Sequence, residues 1–236
     1  MWRSLLWKEW NEQRWRLWFG IALLATFTVI GLRTRVLPDE QMAAMTIMVG
    51  GIIFPLMVAM GLVAPERAEG TIVRLFALPV PPWQVMAAKA LVGAAVCAGP
   101  LVASGLIAVL MVGDREMSLA KLIGLYAMGT GVALAVFTWL TAAGVRQPSE
   151  ARAGLMGAAV FVAWCLAIAV CEIFQTELFM TARPTDWVVG ASPLGFIVLE
   201  QGRVPAARVI VLQIVAAALV WGWSAHRIGK TGKAAA

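Results

Sequence analysis

Few residues in this chain of 236 have the types and spacing of a catalytic site. The nearest match to the phosphate-binding loop G-x-x-x-x-G-K-[ST] is SAHRIGKT at residues 224–231, in which Ser224 replaces the first glycine. Such a loop follows a strand and opens a helix, whereas this segment follows an apolar run. No G-x-S-x-G, H-E-x-x-H or C-x-x-C motif occurs in the sequence. We therefore expect no catalytic residue and no ATP binding by this chain.

Soft-metal chemistry has one candidate, a stripe of methionines at i, i+3 and i+6 formed by Met42, Met45 and Met48. Thioethers can bind Cu(I), but methionines at helical spacing more often pack against neighbouring helices. The sequence leaves open whether this stripe contacts a metal. The single histidine, His226, lies in a basic tail without nearby thiols or carboxylates. We expect no metal site and no cofactor bound by this chain.

The composition is that of a membrane protein, with 61% hydrophobic residues, 14% charged residues and a mean hydropathy of +0.83. Soluble domains carry about 25% charged residues. A helix needs about 20 apolar residues to cross a bilayer, so the chain has room for about six spans and short loops. Six apolar runs are readable, at residues 17–32, 42–64, 85–112, 119–145, 153–174 and 206–225.

These runs are continuous rather than alternating, which favours helices over the strands of a barrel. We therefore predict an all-α membrane protein in which residues 1–236 form a single transmembrane domain. The outer segment, residues 175–205, is too polar to span and is expected to form short helices on the outer face. Charged residues such as Lys89 are expected at the edges of the runs, which disfavours an ion-driven carrier.

The loops predict the orientation, because basic residues are enriched on the cytoplasmic side. With six spans both termini share one side, and 12 of the 19 basic residues fall there. We predict that both termini and the loop after the second run are cytoplasmic. The net charge of +6 then reflects topology and contact with the anionic lipid bilayer rather than nucleic-acid binding.

The N-terminal stretch MWRSLLWKEWNEQRWRLW combines an aromatic arc with charged residues. Indole rings favour the boundary between lipid and water. Residues 1–16 are therefore predicted to form an amphipathic interfacial helix that precedes the first span. The alternative is an ordinary basic flank of that span. The predicted interfacial anchors are Trp2, Trp10, Trp15 and Trp83.

A charged segment, residues 66–78, interrupts the second and third apolar runs. Ile72, Leu75 and Phe76 provide an apolar face for a short helix, while Glu66 and Arg74 lie among the polar positions. Gly70 weakens the middle of such a helix by about 1 kcal/mol relative to alanine. The prolines that follow, Pro79, Pro81 and Pro82, end it. A short rigid helix of this kind could be bound by a soluble partner.

This segment resembles the first cytoplasmic loop of the ABC-2 type permeases, the membrane subunits of ATP-binding-cassette exporters. That loop reads E-x-x-x-G-T-L-E-x-L-L-x-x-P-(V/L)-S, and an apolar stretch and G-K follow it. Here ERAEGTIVRLFALPV begins at Glu66 and Lys89 follows; Val73 replaces the second glutamate and Ala88 the glycine. LLWKEW near the N-terminus and SPLGFIV at residues 192–198 also resemble family segments.

The resemblance implies that residues 66–78 are a coupling helix that docks on a separate ATPase subunit. It further implies a dimer of permease subunits, identical or different, with two ATPase copies that bind ATP and Mg. A permease of this kind lies in the bacterial inner membrane and exports a substrate, here expected to be apolar or amphiphilic. The implied ATPase-coupling residues are Glu66, Arg67, Glu69, Gly70, Thr71, Arg74, Leu75 and Phe76.

Two alternatives stay open. The chain more loosely resembles membrane subunits of ABC-type complexes for cytochrome c or copper-enzyme maturation. It could also be a membrane anchor that binds an ATPase and moves nothing.

Overall fold

The structure, a computed structural model, describes residues 2–34, 38–68, 81–112, 118–144, 147, 149–178 and 206–234. These residues are almost entirely helical, and they contain no strand. The helices are α1 (Trp2–Thr34), α2 (Asp39–Met48), α3 (Phe54–Ala68), α4 (Pro82–Val112), α5 (Leu119–Gly144), α6 (Glu150–Leu178) and α7 (Ala206–Ala234).

Each predicted apolar run overlaps at least one of these helices, and the run at residues 42–64 overlaps both α2 and α3. In the described residues, five stretches are long and apolar enough to cross a membrane. Within α6 the apolar stretch is shorter, Ala151–Leu166. An all-α membrane protein is therefore confirmed at this level. The five stretches are Trp2–Thr34, Gln41–Leu62, Pro82–Met111, Leu119–Ala142 and Val209–His226.

A π-helical turn, Val49–Ile53, joins α2 and α3 into one continuous helix. The Phe54 N–H donates to the Val49 carbonyl, five residues back. Pro55 follows, and because proline has no N–H and its ring crowds the carbonyl four residues earlier, a regular α-helical ladder is interrupted at Gly51. The wider turn accommodates this interruption.

Serine residues mark the start of two helices. The Ser118 Oγ accepts a hydrogen bond from the Lys121 backbone N–H at 3.3 Å, before α5. The Ser149 Oγ accepts one from the Arg152 backbone N–H at 3.4 Å, before α6. A serine before the first helical residue satisfies backbone donors that have no partner inside the helix.

The chain divides into two compact units. Unit 1 comprises Met1–Val58 and Gln84–Phe137, and unit 2 comprises Ala59–Trp83 and Thr138–Ala236. Unit 1 is a bundle of four helical segments. Its core includes a cluster of Leu32, Ala43, Ala108, Leu122 and Tyr126, with one residue or more from each segment.

Close glycine contacts define the directions of the helices in unit 1. A Cβ built on Gly99 of α4 would lie 2.6 Å from Leu17 Cδ1 of α1, and one on Gly20 would lie 2.8 Å from Pro100 Cγ. Further along, Thr28 of α1 contacts Ser104 of α4. Because residue numbers rise together in these contacts, α1 and α4 run in the same direction.

Two further pairs of neighbours in unit 1 are antiparallel, whereas α2 and α5 run in the same direction, because Ile47 faces Gly129 and Gly51 faces Val132. Gly31 of α1 faces Met42 of α2, while Gly20 faces Phe54, so the numbers run in opposite senses. In the same way, Gly105 of α4 faces Tyr126 of α5 and Gly93 faces Phe137. Small residues at these positions let the helix backbones approach closely.

Unit 2 contains the end of α3, the end of α5, α6 and α7. Gly154 of α6 faces Met60 of α3, and Trp164 of α6 stacks on Trp139 of α5. Most side chains along α7 are at least partly exposed; Val209 and Ser224 are the buried ones among those described between residues 209 and 226.

The predicted N-terminal boundary differs from the structure. The expected interfacial helix over residues 1–16 and the first span from residue 17 belong to one helix, α1. No glycine or proline occurs between Trp2 and Phe19, so nothing in the backbone chemistry ends the helix there. The position of residues 1–16 at a membrane surface stays a prediction.

Candidate functional site: a buried ion pair between α1 and α4

An ion pair between Glu9 of α1 and Lys89 of α4 is the main charged feature inside unit 1. The Lys89 Nζ lies 3.0 Å from Glu9 Oε1 and 3.1 Å from Glu9 Oε2, so it contacts both carboxylate oxygens. The side chains are 2% and 3% exposed for Glu9 and Lys89, respectively. The two residues are 80 positions apart in the chain, and their contact joins two parallel helices.

Further polar residues of α1 surround Glu9. Lys8 Nζ lies 3.5 Å from Glu9 Oε1 and 3.3 Å from Glu12 Oε1, one helical turn further on. Gln13 is buried, and its Oε1 accepts a hydrogen bond of 3.0 Å from Arg16 Nη1. Lys8 and Glu12 are partly exposed, so this polar network extends from the buried pair to the surface of unit 1.

The site lies about two helical turns inside both helices. Lys89 follows the first residue of α4, Pro82, by seven positions, and Glu9 follows Trp2 by seven. At 1.5 Å per residue, each charge is about 10 Å from the start of its helix. The buried residues Val85, Met86, Ala88 and Val92 surround Lys89 along α4.

Burial makes the two charges dependent on each other. Taking an ion pair out of water has a large desolvation cost, and removal of one partner leaves an uncompensated charge, which typically costs 3–5 kcal/mol. Replacement of both partners by uncharged residues of similar size is often neutral or stabilising. The pair therefore provides a specific contact between α1 and α4 more than it adds stability.

Sequence reasoning missed this site. It placed Lys89 at the edge of an apolar run, and it assigned no partner to Glu9, one of the charged residues in the predicted interfacial helix. The signal that could have found the pair is the isolation of Lys89, which is followed by 24 residues without a charge before Asp114. A lone cation in such a setting needs a partner.

A second polar contact joins the same two helices further along. Thr28 Oγ1 and Ser104 Oγ are 3.2 Å apart and both residues are buried. Beside them is a small cavity of about 10 Å³, close to the space of one water molecule. Its lining combines polar and apolar side chains from all four segments of unit 1: Thr28, Leu32, Met42, Ala43, Thr46, Ala108, Leu122 and Tyr126.

In unit 2, Trp139 and Trp164 stack with ring centroids 6.3 Å apart and an interplanar angle of 21°. The Nε1 atoms of both indoles are buried, and neither has a hydrogen-bond acceptor among the described residues. A buried donor without an acceptor costs about 1–3 kcal/mol. This pair therefore differs from the satisfied polar contacts of unit 1.

The predicted ATPase-coupling residues lie largely outside the described part of the chain. The backbones of Glu66 and Arg67 continue α3, which ends at Ala68. The other six predicted residues fall in residues 69–80, outside the described residues; they are Glu69, Gly70, Thr71, Arg74, Leu75 and Phe76. The greater part of the predicted outer segment, residues 179–205, is also outside them.

The predicted tryptophan anchors are accessible to different degrees. Trp2, Trp15 and Trp83 are exposed, whereas Trp10 is half-buried. The guanidinium carbon of Arg16 lies 5.4 Å from the centroid of the Trp15 ring, which is within cation–π distance. Exposed rings beside charged groups fit an interfacial role, which stays a prediction.

The other residues that the sequence suggested as possible ligand-binding groups do not form a common site among the described residues. Met42 is buried, whereas Met45 and Met48 are exposed, so the methionine stripe faces two environments. Among the described residues, no group of three or more His, Cys, Asp or Glu side chains could hold a metal ion. Residues 224–231, the imperfect phosphate-loop match, lie within α7.

Comparison with known proteins does not assign the chain to a family. No protein-family model matches it, and a search of curated proteins gives no match.

Proposed function

We propose that this chain is the permease subunit of an ATP-binding-cassette exporter. In this proposal it forms the translocation path for an apolar or amphiphilic substrate and couples to a separate ATPase subunit. Two permease subunits assemble with two ATPase copies in the bacterial inner membrane, with both termini in the cytoplasm. ATP and Mg are bound by the ATPase.

The observation that carries the proposal is the contact between Glu9 and Lys89. The resemblance to the ABC-2 type permeases depends on short stretches that are far apart in the sequence. Glu9 belongs to one of them, LLWKEW, and Lys89 occupies the lysine position after the loop motif of another. Their ion pair brings these two stretches together at 3.0 Å. A chance similarity in either stretch would give no reason for such a contact.

The bounds of α3 and α4 add support. The loop motif begins in the last turn of α3 and ends before α4 begins at Pro82. It therefore connects two helices that are each part of a stretch long and apolar enough to cross a membrane. A connection of this kind on the cytoplasmic side would be accessible to a soluble ATPase.

The central experiment tests docking through the acidic residues of the loop. Glu66 and Glu69 are three positions apart, so on a helix they share a face. Loss of a charged pair in an interface costs about 2–5 kcal/mol, which is roughly 30-fold or more in affinity. We expect the double variant Glu66→Arg/Glu69→Arg to insert normally but to lose co-purification with a co-expressed ATPase subunit.

A matched control reverses two acidic residues in a different loop, Asp114→Arg/Glu116→Arg, and should leave assembly unchanged. If the Glu66/Glu69 variant binds the ATPase as tightly as the parent protein, coupling through these glutamates is wrong. If the parent complex hydrolyses ATP but moves no apolar or amphiphilic compound across the membrane, the chain is better described as a membrane anchor that binds an ATPase and transports nothing.

Topology is tested separately with single cysteines at Ala68 and Thr185, in a background without reactive native cysteines. An impermeant thiol reagent should label them from opposite sides of the membrane. Labelling of both from the periplasmic side would contradict the six-span arrangement.

A further inference from the structure

The α1–α4 interface has its charged contact close to the end where the predicted coupling loop enters. Lys89 is seven residues after the start of α4, and the loop motif ends immediately before that start. The helical segment from Pro82 to Lys89 has no internal glycine or proline, so it can move as a rigid extension of the end of the loop.

Contacts further along the interface are of a different kind. Apart from the hydrogen bond between Thr28 and Ser104, those that the structure describes place small residues against apolar side chains, such as Gly99 against Leu17 and Gly20 against Pro100. Such surfaces can slide or tilt with little directional preference. A contact between a buried ammonium and both oxygens of a buried carboxylate favours one register, because displacement by one turn would break both of these short N–O contacts.

We propose that Glu9 and Lys89 are positioning residues that pass movement of the coupling loop to α1. The ion pair makes the first two turns of α4 and the N-terminal part of α1 move together, so that ATPase-driven displacement of the loop also displaces α1. This inference rests on the proposed exporter function. It assigns a role to a contact that binds neither ATP nor substrate.

The informative variant is the uncharged double replacement Glu9→Gln/Lys89→Met, because it leaves no buried charge and keeps similar side-chain volumes. A charge-exchanged variant, Glu9→Lys/Lys89→Glu, restores an ion pair with reversed polarity. The control is Ser104→Ala, which removes the Thr28–Ser104 contact between the same two helices but lies about 22 Å further along α4.

The readout is an environment-sensitive bimane fluorophore on Thr34→Cys, an exposed residue at the far end of α1. The background carries Cys165→Ala and Cys171→Ala, and the buried Cys97 is kept. The full complex with its ATPase is placed in lipid nanodiscs. Emission is compared before and after the ATPase is trapped with ATP and vanadate, and ATP hydrolysis is measured on the same samples.

We expect trapping to shift the emission in the parent complex and in Ser104→Ala. The shift should be lost in Glu9→Gln/Lys89→Met, although this variant still binds the ATPase and hydrolyses ATP, and it should return at least in part in Glu9→Lys/Lys89→Glu. If the ion pair only stabilised the fold, its replacement would reduce assembly and ATP hydrolysis together with the emission shift.

The outcomes that contradict the inference are distinct from those that contradict the exporter. If the parent shows no shift, or if the uncharged variant shifts like the parent, the ion pair does not pass movement to α1. If the charge-exchanged variant folds and assembles without any recovery, the ion pair itself is not the link. If the parent binds no ATPase at all, the proposed function fails and this inference fails with it.

Discussion

The two units of the chain differ in the buried polar contacts that the structure describes. Among the described residues, unit 1 pairs such groups between helices, with Glu9 against Lys89 and Thr28 against Ser104. Unit 2 buries the indole N–H groups of Trp139 and Trp164 without an acceptor. Its buried Ser224 donates at 2.7 Å to the Val220 carbonyl within the same helix.

This difference indicates which interactions determine the positions of the helices in each unit. Hydrogen bonds and ion pairs between helices are directional, so they select one register, whereas apolar packing tolerates small shifts. Helix association in a membrane is driven by close packing and by interhelical polar contacts rather than by the hydrophobic effect. Unit 1 uses both, and we expect it to respond more sharply to single substitutions than unit 2.

The largest effect is expected at the ion pair. Glu9→Ala removes the carboxylate that contacts the buried Lys89 ammonium through both oxygens, so we predict a loss of about 3–5 kcal/mol in the free energy of unfolding. The double variant Glu9→Gln/Lys89→Met should lose far less, because no charge remains. Unfolding in detergent micelles, followed for the parent, both single variants and the double variant, measures the coupling. Strictly additive losses would mean that the two charges do not interact.

A smaller loss of stability is expected when a glycine at a helix contact is replaced by alanine, and the size of the loss should differ between the two units. In unit 1 a Cβ on Gly20 would lie 2.5 Å from Phe54 Cζ and 2.8 Å from Pro100 Cγ. Both neighbours are ring groups that cannot bend away, so Gly20→Ala should cost about 1–3 kcal/mol through overpacking.

The matched substitution in unit 2 is Gly154→Ala, whose Cβ would meet the Cε and Sδ atoms of Met60. A methionine side chain is flexible and can move aside. Alanine also has the better helix propensity, by up to about 1 kcal/mol, so we expect no loss or a small gain. Thermal unfolding of Gly20→Ala and Gly154→Ala, measured under the same conditions, tests this contrast. Equal losses of stability in the two variants would show that the two units respond alike.

The helices themselves were predictable from the sequence, and the site was not. Long apolar runs are a local signal, so each predicted run overlaps an observed helix. The pairing of Glu9 with Lys89 depends on which helices become neighbours, and that information is not local. The same limit explains the N-terminal region, where an aromatic and charged composition predicted a separate interfacial helix but the backbone continues through residues 16 and 17.

The π-helical turn also escaped the sequence analysis. Gly50, Gly51 and Pro55 carry the local signal, because glycine weakens a helix and proline removes a backbone donor. Packing then completes the explanation, since a Cβ on Gly50 would lie 2.6 Å from both Leu101 Cδ2 and Leu24 Cδ1. The sequence alone shows the weak point but not the neighbours that fill it.

The Thr28–Ser104 contact should have a modest effect. Interhelical hydrogen bonds in a membrane protein average about 0.6 kcal/mol, with a maximum near 1.7. Thr28→Val keeps the shape of the side chain and leaves the Ser104 hydroxyl without this contact. We predict a loss in that range for Thr28→Val and little further loss when Ser104→Ala is added. A larger second loss would show that Ser104 has another important contact.

The smallest effect is expected at the stacked indoles of unit 2. Trp164→Phe removes a buried N–H that has no acceptor, which relieves a cost of about 1–3 kcal/mol. It also removes part of a ring that contacts Trp139, and large-to-small changes of buried aromatic groups are unfavourable. These opposite contributions should nearly cancel. The free energy of unfolding in detergent should therefore change by less than about 1 kcal/mol, which is the typical net contribution of one hydrogen bond. Trp139→Phe should behave in the same way. A loss well above this for either variant would show that the N–H is satisfied in the protein as it exists in the membrane, and these two indoles would then resemble the paired polar groups of unit 1.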